Sequence, residues 1–163
     1  MKASFLDVAA QVTERPAQPL DEAFFRRLFI ADRLPEFLAG GLARPAAEAL
    51  LADQFRLQTI GYAEQFPRAE RRVIAWRDRP VGRIIEADLG DHLHVVDFVL
   101  DPGHRGRGIG AEVLGRVLWR AEVSHRPVRL MCLIGSPALR LYERAGFHIE
   151  GATADRYELV WQP

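Results

Sequence analysis

The sequence is poor in cysteine, in lysine and in long apolar runs, and each absence narrows the range of functions. Cys132 is the only cysteine among 163 residues, so an intrachain disulfide is excluded, and we expect this thiol in the core. No apolar run is long enough to cross a membrane, and Asp7 interrupts the short apolar patch near the N-terminus, which argues against a signal peptide. We therefore expect a cytoplasmic protein.

No excess of either charge is present. Lys2 is the only lysine, but arginines bring the basic residues to 22, and 22 acidic residues match them. A zero net charge gives no global basic field of the kind that attracts nucleic acid or an anionic membrane. Neither is an expected partner.

The hydrophobic and charged fractions, 48% and 27%, are those of a globular chain, and the length suits one domain over residues 1–163. The order of patterns predicts an α/β (α+β) fold with a mixed, mostly antiparallel sheet of six to seven strands, flanked by about four helices. The predicted strands cover residues 4–9, 72–77, 81–86, 95–100, 128–134, 147–150 and 157–161. The predicted helices cover residues 21–33, 45 to about 62 or 66, 108–123 and 136–145, and residues 13–20 are a predicted loop.

The most informative stretch runs from His94 to Arg120. An apolar strand ends at Asp101-Pro102-Gly103, the turn Arg105-Gly106-Arg107-Gly108-Ile109-Gly110 follows, and a helical pattern begins at its end. Glycines allow close approach to the backbone, and a helix start offers free N–H groups and the positive end of its dipole. A strand, a glycine-rich turn and a helix start predict an anion site, usually for phosphate, and Arg105 and Arg107 add guanidinium groups.

Other ligand classes fit these motifs poorly. The turn is not Gly-x-Gly-x-x-Gly, no acidic residue ends the next strand, and no Gly-Lys-Ser/Thr occurs, so neither a dinucleotide site nor a P-loop is expected. His92 and His94 share one side of a strand, but no third ligand is clustered with them, so no metal site is expected.

A second motif identifies the family that the chain resembles. Residues 138–147, Ala-Leu-Arg-Leu-Tyr-Glu-Arg-Ala-Gly-Phe, are similar to the second motif of the GNAT-type N-acetyltransferases, and residues 105–110 are similar to their cofactor turn. The resemblance implies a GNAT-like fold that binds acetyl-CoA and transfers the acetyl group directly to a primary amine of a small molecule or peptide. Members often form homodimers, so a homodimer is a further expectation. Gly135 departs from the family's usual asparagine at that position, which leaves only a backbone role there.

The resemblance also assigns roles to particular residues. Arg105, Gly106, Arg107, Gly108, Ile109 and Gly110 would hold the cofactor pyrophosphate, and the backbone of Phe98, Val99 and Leu100 would pair with the pantetheine arm like an added strand. Members often carry a bulge in this strand, and a backbone N–H near Leu100 would stabilise the oxyanion. Tyr142 matches the family tyrosine that contacts the cofactor and protonates the departing thiolate.

The group that takes the proton of the amine is left open. His94 has a suitable reference pKa, Asp97 lies in an apolar run where an unpaired charge is costly, and Glu86 ends the neighbouring strand. A water chain is a fourth candidate. The alternative to an enzyme is a non-catalytic acyl-CoA-binding or sensor module of the same fold.

Overall fold

The computed structural model describes residues 5–163, which form a seven-stranded sheet with the order β1-β2-β3-β4-β5-β7-β6. Among these residues the only parallel pair is β4–β5, so the prediction of a mostly antiparallel sheet of six to seven strands is confirmed. The strands are β1 Val12–Pro16, β2 Glu70–Trp76, β3 Arg79–Asp88, β4 Leu93–Leu100, β5 Val128–Leu133, β6 His148–Ala152 and β7 Arg156–Trp161. The accompanying α-helices are α1 Phe5–Ala9, α2 Glu22–Ala39, α3 Arg44–Gln65, α4 Ile109–Val123 and α5 Leu139–Arg144.

Two predictions near the N-terminus are wrong. Residues 5–9 form helix α1 instead of a strand, because a short apolar run does not distinguish the two, and the remaining predicted residue, 4, lies outside the described residues. Residues 13–16 of the predicted loop belong to β1, an edge strand that pairs with β2 and in which Val12 alone is buried. Pro16 is tolerated at its end because edge strands need not donate every N–H.

Helix α2 is longer than its pattern predicted. It continues through Pro35 to Ala39 instead of ending at Arg33. A proline inside a helix costs about 3 kcal/mol. On one side of α2 the side chains of Phe25, Leu28 and Leu34 are buried, and the free energy of this burial offsets the cost of Pro35. The other predicted boundaries differ from the observed ones by a few residues.

The sheet separates two hydrophobic cores. On one face, α4 and α5 pack against residues such as Ile84 and Val95, and the buried Cys132 belongs to this core as expected. On the other face, α2 and α3 cover the sheet with Phe25, Phe29 and Phe55. None of the helices in the described part of the chain is long and apolar enough to span a membrane.

Strand β4 leaves the sheet open at its centre. It pairs with β5 only from Leu93 to Val95, and beyond that point the two strands separate. On its other side, Ile85 faces Asp97 and Glu86 faces Val95, so Val96 is an extra residue and β4 carries a bulge. The backbone groups of β4 that point toward β5 beyond Val95 therefore have no strand partner among the described residues.

Candidate active site

The glycine-rich turn connects β4 to α4 and offers a set of free N–H groups. Asp101 accepts a hydrogen bond from the N–H of Gly103 and one from His104 Nδ1, which fixes the start of the turn. Gly108 is the N-cap of α4 with φ of 84°, a left-handed conformation that favours glycine. Among the described residues, the N–H groups of residues 106–111 have no acceptor. These donors fit the predicted anionic group, such as a pyrophosphate.

The two arginines of the turn have different surroundings. Arg105 donates from Nε and Nη2 to the carbonyl oxygen of Leu100, at 3.1 and 2.9 Å, and pairs with Asp32 of α2. Arg107 makes one hydrogen bond, 3.3 Å long, to the carbonyl of Gly103 and lies 5.1 Å above the ring of Trp76. Arg105 therefore joins the turn to α2, whereas most of the Arg107 donors have no acceptor in the described part of the chain and can serve a phosphate.

Gly110 determines how closely α4 approaches the rest of the site. A Cβ at this position would lie 3.2 Å from Leu141 and 3.5 Å from Leu100. The absence of a side chain thus lets the start of α4 pack directly against β4 and α5. Because α5 also carries Tyr142, this contact fixes the distance between the turn and the tyrosine.

Tyr142 lies in the core on the α4–α5 face, with 6% of its surface exposed. Its ring packs edge-on against Phe147, with centroids 5.8 Å apart. Burial raises the pKa of Tyr142, and the nearby Cys132 and Asp97 raise it further. No hydrogen bond of its hydroxyl is formed within the described part of the chain. The residue is therefore a protonated phenol whose O–H can serve a bound molecule.

Asp97 is held on the opposite face by a buried arginine. Arg83 is 2% exposed and donates from Nε (3.0 Å) and Nη2 (2.6 Å) to the same oxygen, Oδ2, of Asp97. Gln58 accepts a further bond from Nη2 at 3.2 Å, and the rings of Phe25 and Phe55 lie 5.3 and 5.7 Å from the guanidinium carbon. Oδ1 of Asp97 accepts nothing among the described residues, so one carboxylate oxygen remains available.

His94 lies on the same face as Asp97. Its ring stacks on Phe66 at the end of α3, with a centroid distance of 5.3 Å. Burial lowers the pKa of His94, and His92 and Arg129 lower it further. At neutral pH the imidazole is therefore neutral and able to accept a proton.

Glu86 has a different environment. It lies on the α4 face, where Arg72 is 2.7 Å from Oε1 and Arg120 donates to both oxygens at 2.8 and 2.7 Å. These contacts occupy both oxygens of the carboxylate, and they tie β2 and α4 to β3. The structure brings Asp97 and His94 to the face covered by α2 and α3 and separates Glu86 from them.

A cavity of about 210 Å³ lies between α3 and the faces of β2 and β3. Its lining includes Arg83, which holds Asp97, and Phe66, which stacks on His94. Tyr62, Phe66, Arg71 and Arg83 form part of its wall. Burial raises the pKa of Tyr62, and Asp97 raises it too, while Arg83 and other arginines lower it. Sequence reasoning missed Arg71 and Arg83, although an arginine at the centre of the apolar strand Val-Gly-Arg-Ile-Ile is an available signal of a buried charge that needs a partner.

Comparison with known proteins agrees with this geometry. The sequence matches a family model described as an acetyltransferase (GNAT) domain over residues 68–149, which is half of the chain. The chain therefore belongs to the GNAT acetyltransferase family, as its motifs predicted. No curated protein matches the chain in sequence.

Several solved structures are similar in fold. The PaiA N-acetyltransferase of Thermoplasma acidophilum, solved in complex with coenzyme A, has a TM-score of 0.71 and 13% identity, with 93% of this chain and 99% of that chain covered. An acetyltransferase of Thermus thermophilus has a TM-score of 0.65 and 20% identity, with 94% and 97% covered. A Salmonella typhimurium acetyltransferase that modifies the N-terminal serine of ribosomal protein L7/L12 has a TM-score of 0.65 and 13% identity, with 96% and 97% covered. The likeness therefore extends over nearly the whole fold.

Proposed function

We propose that this protein is an acetyl-CoA-dependent N-acetyltransferase that moves the acetyl group directly to a primary amine. One observation carries the proposal: the opening between β4 and β5 lies beside the free N–H groups of residues 106–111. A pantetheine arm presents amides that pair with unpaired β4 backbone, while a pyrophosphate matches the helix start. The similar Thermoplasma enzyme, which was solved with coenzyme A, supports this choice of co-substrate.

Bound acetyl-CoA would supply an acetyl carbon made electrophilic by its thioester. The amine nitrogen forms a bond to that carbon, the carbon–sulfur bond breaks, and the thiol and the amide are the products. Backbone N–H groups of β4 beyond Val95 can donate to the carbonyl oxygen as it gains charge. Residues 98–100 and the turn from Arg105 to Gly110 hold the two ends of the co-substrate.

The amine must lose a proton before or during its attack, and we assign this proton to Asp97. Its Oδ1 is available, and its charge raises the pKa of both Tyr62 and Tyr142, so the carboxylate is near the cavity wall and near the proposed proton donor. Asp97 can accept the proton directly or through one water. The phenol of Tyr142 then gives its proton to the departing thiolate. The proton on Asp97 passes to solvent and the phenolate takes one from solvent, which restores both groups.

His94 is the second candidate for the proton acceptor because its lowered pKa keeps the imidazole neutral. The two candidates are separated by the pH dependence of kcat/KM in Asp97→Asn and His94→Gln. If a substitution abolishes the fall of kcat/KM at low pH, the residue that it replaces is the proton acceptor. Loss of this fall in His94→Gln alone would contradict the assignment to Asp97.

The test of the whole proposal is a thiol-release assay with acetyl-CoA and a panel of amines, together with mass spectrometry of the product. We expect coenzyme A release that depends on the amine, with a mass gain of one acetyl group on the acceptor. Tight binding of acetyl-CoA without transfer to any amine would favour the sensor module instead. A protein without affinity for coenzyme A would be neither an acetyltransferase nor a sensor module of this kind.

A further inference from the structure

The cavity between α3 and the faces of β2 and β3 has a wall with unusual chemistry. Its 210 Å³ are lined by Thr59, Tyr62, Phe66, Arg71, Arg83 and Ile85, among other residues, and no carboxylate of the described chain belongs to this lining. Ligand pockets usually begin at about 300 Å³. The space therefore suits one functional group of a substrate together with part of its carbon skeleton.

Both arginines retain donors that the protein does not use. Arg83, although 2% exposed, uses Nε and Nη2 for Asp97 and Gln58, and its Nη1 has no acceptor among the described residues. Arg71 lies 2.5 Å from Glu22 through Nη2, and within the described part of the chain its Nε and Nη1 have no acceptor. Among the atoms of these two arginines, Nη2 of Arg71 is buried without a hydrogen bond in the described chain, since its contact with Glu22 lacks hydrogen-bond geometry, and buried donors of this kind are uncommon in proteins. The other unused N–H groups are partly exposed and can donate to an acceptor that enters the cavity.

A carboxylate is the group that best matches the wall. Guanidinium groups bind carboxylates through paired, charge-assisted hydrogen bonds, whereas their N–H groups offer no acceptor to an ammonium. The raised pKa of Tyr62 keeps its hydroxyl protonated and able to donate as well. The rings of Tyr62 and Phe66 provide apolar contact for a side chain.

We propose that this cavity binds the carboxylate of the acceptor, and that the acceptor is a small amine of the amino-acid type with an apolar side chain. The inference rests on the proposed function. Arg71 and Arg83 hold the carboxylate, Tyr62 and Phe66 contact the side chain, and the amine lies toward Oδ1 of Asp97. Polyamines are poor acceptors because a second ammonium would find no carboxylate among the described residues that line the cavity.

The first experiment measures binding to the full-length protein without any transfer reaction. Isothermal titration calorimetry compares 3-phenylpropionate, which has the carboxylate and no amine, with phenylethylamine, which has the amine and no carboxylate. We expect 3-phenylpropionate to bind and Arg71→Gln to weaken it about tenfold or more, the value of a charged hydrogen bond. Arg68→Gln, an exposed arginine of the same segment, is the matched control and leaves the affinity unchanged.

The Arg71→Gln substitution also breaks the ion pair with Glu22. Thermal melting therefore checks that this variant still folds. If it does not, Arg71→Lys replaces it, since lysine keeps the charge near Glu22 but loses the forked geometry, and the affinity is expected to fall by a smaller factor. The carboxylate site would be overturned if the unsubstituted protein did not bind 3-phenylpropionate. It would also be overturned if the Arg71 variants bound 3-phenylpropionate as tightly as the unsubstituted protein.

The second experiment compares acetylation of phenylalanine, phenylethylamine and spermidine. We expect phenylalanine to have the highest kcat/KM, by about tenfold or more, and Arg71→Gln to reduce this preference. A preference for phenylethylamine or spermidine would overturn the inference and leave the acetyltransferase intact. Binding of 3-phenylpropionate without transfer to any amine would support the site and reject the proposed function.

Discussion

Arg83 directs two N–H donors to a single oxygen of Asp97, Oδ2, at 3.0 and 2.6 Å. The arginine is itself fixed by Gln58 and by the rings of Phe25 and Phe55, so it connects both α2 and α3 to β4. Because β4 carries its bulge at Val96, the neighbouring Asp97 is aligned with Ile85 and lies on the same face as Arg83. The pair thus fixes the carboxylate through Oδ2, while Oδ1 accepts nothing among the described residues.

Replacement of Asp97 by asparagine is expected to lower kcat by about 10²-fold, the usual contribution of a positioned base. Affinity for coenzyme A should stay near that of the unsubstituted protein, because the turn is unchanged. Steady-state kinetics and calorimetry measure the two quantities. The matched control is Glu86→Gln, which removes a carboxylate on the other face; it should reduce stability while kcat is kept. A larger loss of kcat in Glu86→Gln than in Asp97→Asn would reverse the assignment.

Tyr142→Phe removes only the phenol oxygen from a buried ring. We expect kcat to fall by about 10²-fold, since the thiolate loses its proton donor, while coenzyme A affinity and the melting temperature change little. Tyr157→Phe is the control, because Tyr157 lies on β7 and has no role in the proposed steps. Pre-steady-state measurement of thiol release gives the rate. Equal rates in the two variants would remove Tyr142 from the mechanism.

Gly108→Asp introduces a carboxylate and a strained φ at the start of α4, where the free N–H groups converge. The negative charge would repel a pyrophosphate, so coenzyme A binding should be abolished in calorimetry while the far-ultraviolet circular dichroism spectrum is retained. Gly115→Asp is a matched control on the same helix, since Gly115 is exposed and a Cβ there meets nothing within 4 Å. If both variants bind coenzyme A equally well, the cofactor site lies elsewhere.

Asp21 gives a prediction for acid stability that is independent of function. Arg15 donates to both of its oxygens at 2.8 Å, and together with the N–H of Gln18 it lowers the pKa of Asp21 to about 2. A carboxyl with a lowered pKa stabilises the fold above its unfolded pKa of 3.8, and this contribution is lost as the pH falls toward 2. Asp21→Asn should therefore lower the free energy of unfolding by ~2 kcal/mol at neutral pH.

Urea unfolding of both proteins across the acidic range checks this prediction. Their free energies of unfolding should converge below the folded pKa, where the carboxyl is protonated in both states. Glu64→Gln is a suitable control, since Glu64 is exposed at the end of α3. A difference that is independent of pH would indicate a packing effect instead of the ion pair.

The sequence predicts those parts of the site whose residues are adjacent along the chain. The turn from Arg105 to Gly110 and the helix with Tyr142 depend on local signals, glycines after an apolar strand and an apolar helical face, and both appear where the pattern places them. The Arg83–Asp97 pair depends on the register between β3 and β4, which a single extra residue changes, and no local pattern contains that register. Residues 5–9 and β1 were mispredicted because their patterns are short and their structure depends on neighbours distant in the chain.

The separation of β4 from β5 has a consequence for the stability of the protein. Charges or proline can protect an edge strand from pairing with another chain. Strands β4 and β5 lie in the interior of the sheet, and within the described chain the backbone N–H and C=O groups that face the gap between them have no strand partner. Any molecule that fills this gap binds the folded chain and not the unfolded one, and an excess of about a hundred times its Kd raises the free energy of unfolding by about 2.7 kcal/mol. The melting temperature of the protein should therefore rise with the concentration of free coenzyme A, so that thermal denaturation reports how well the sheet is completed.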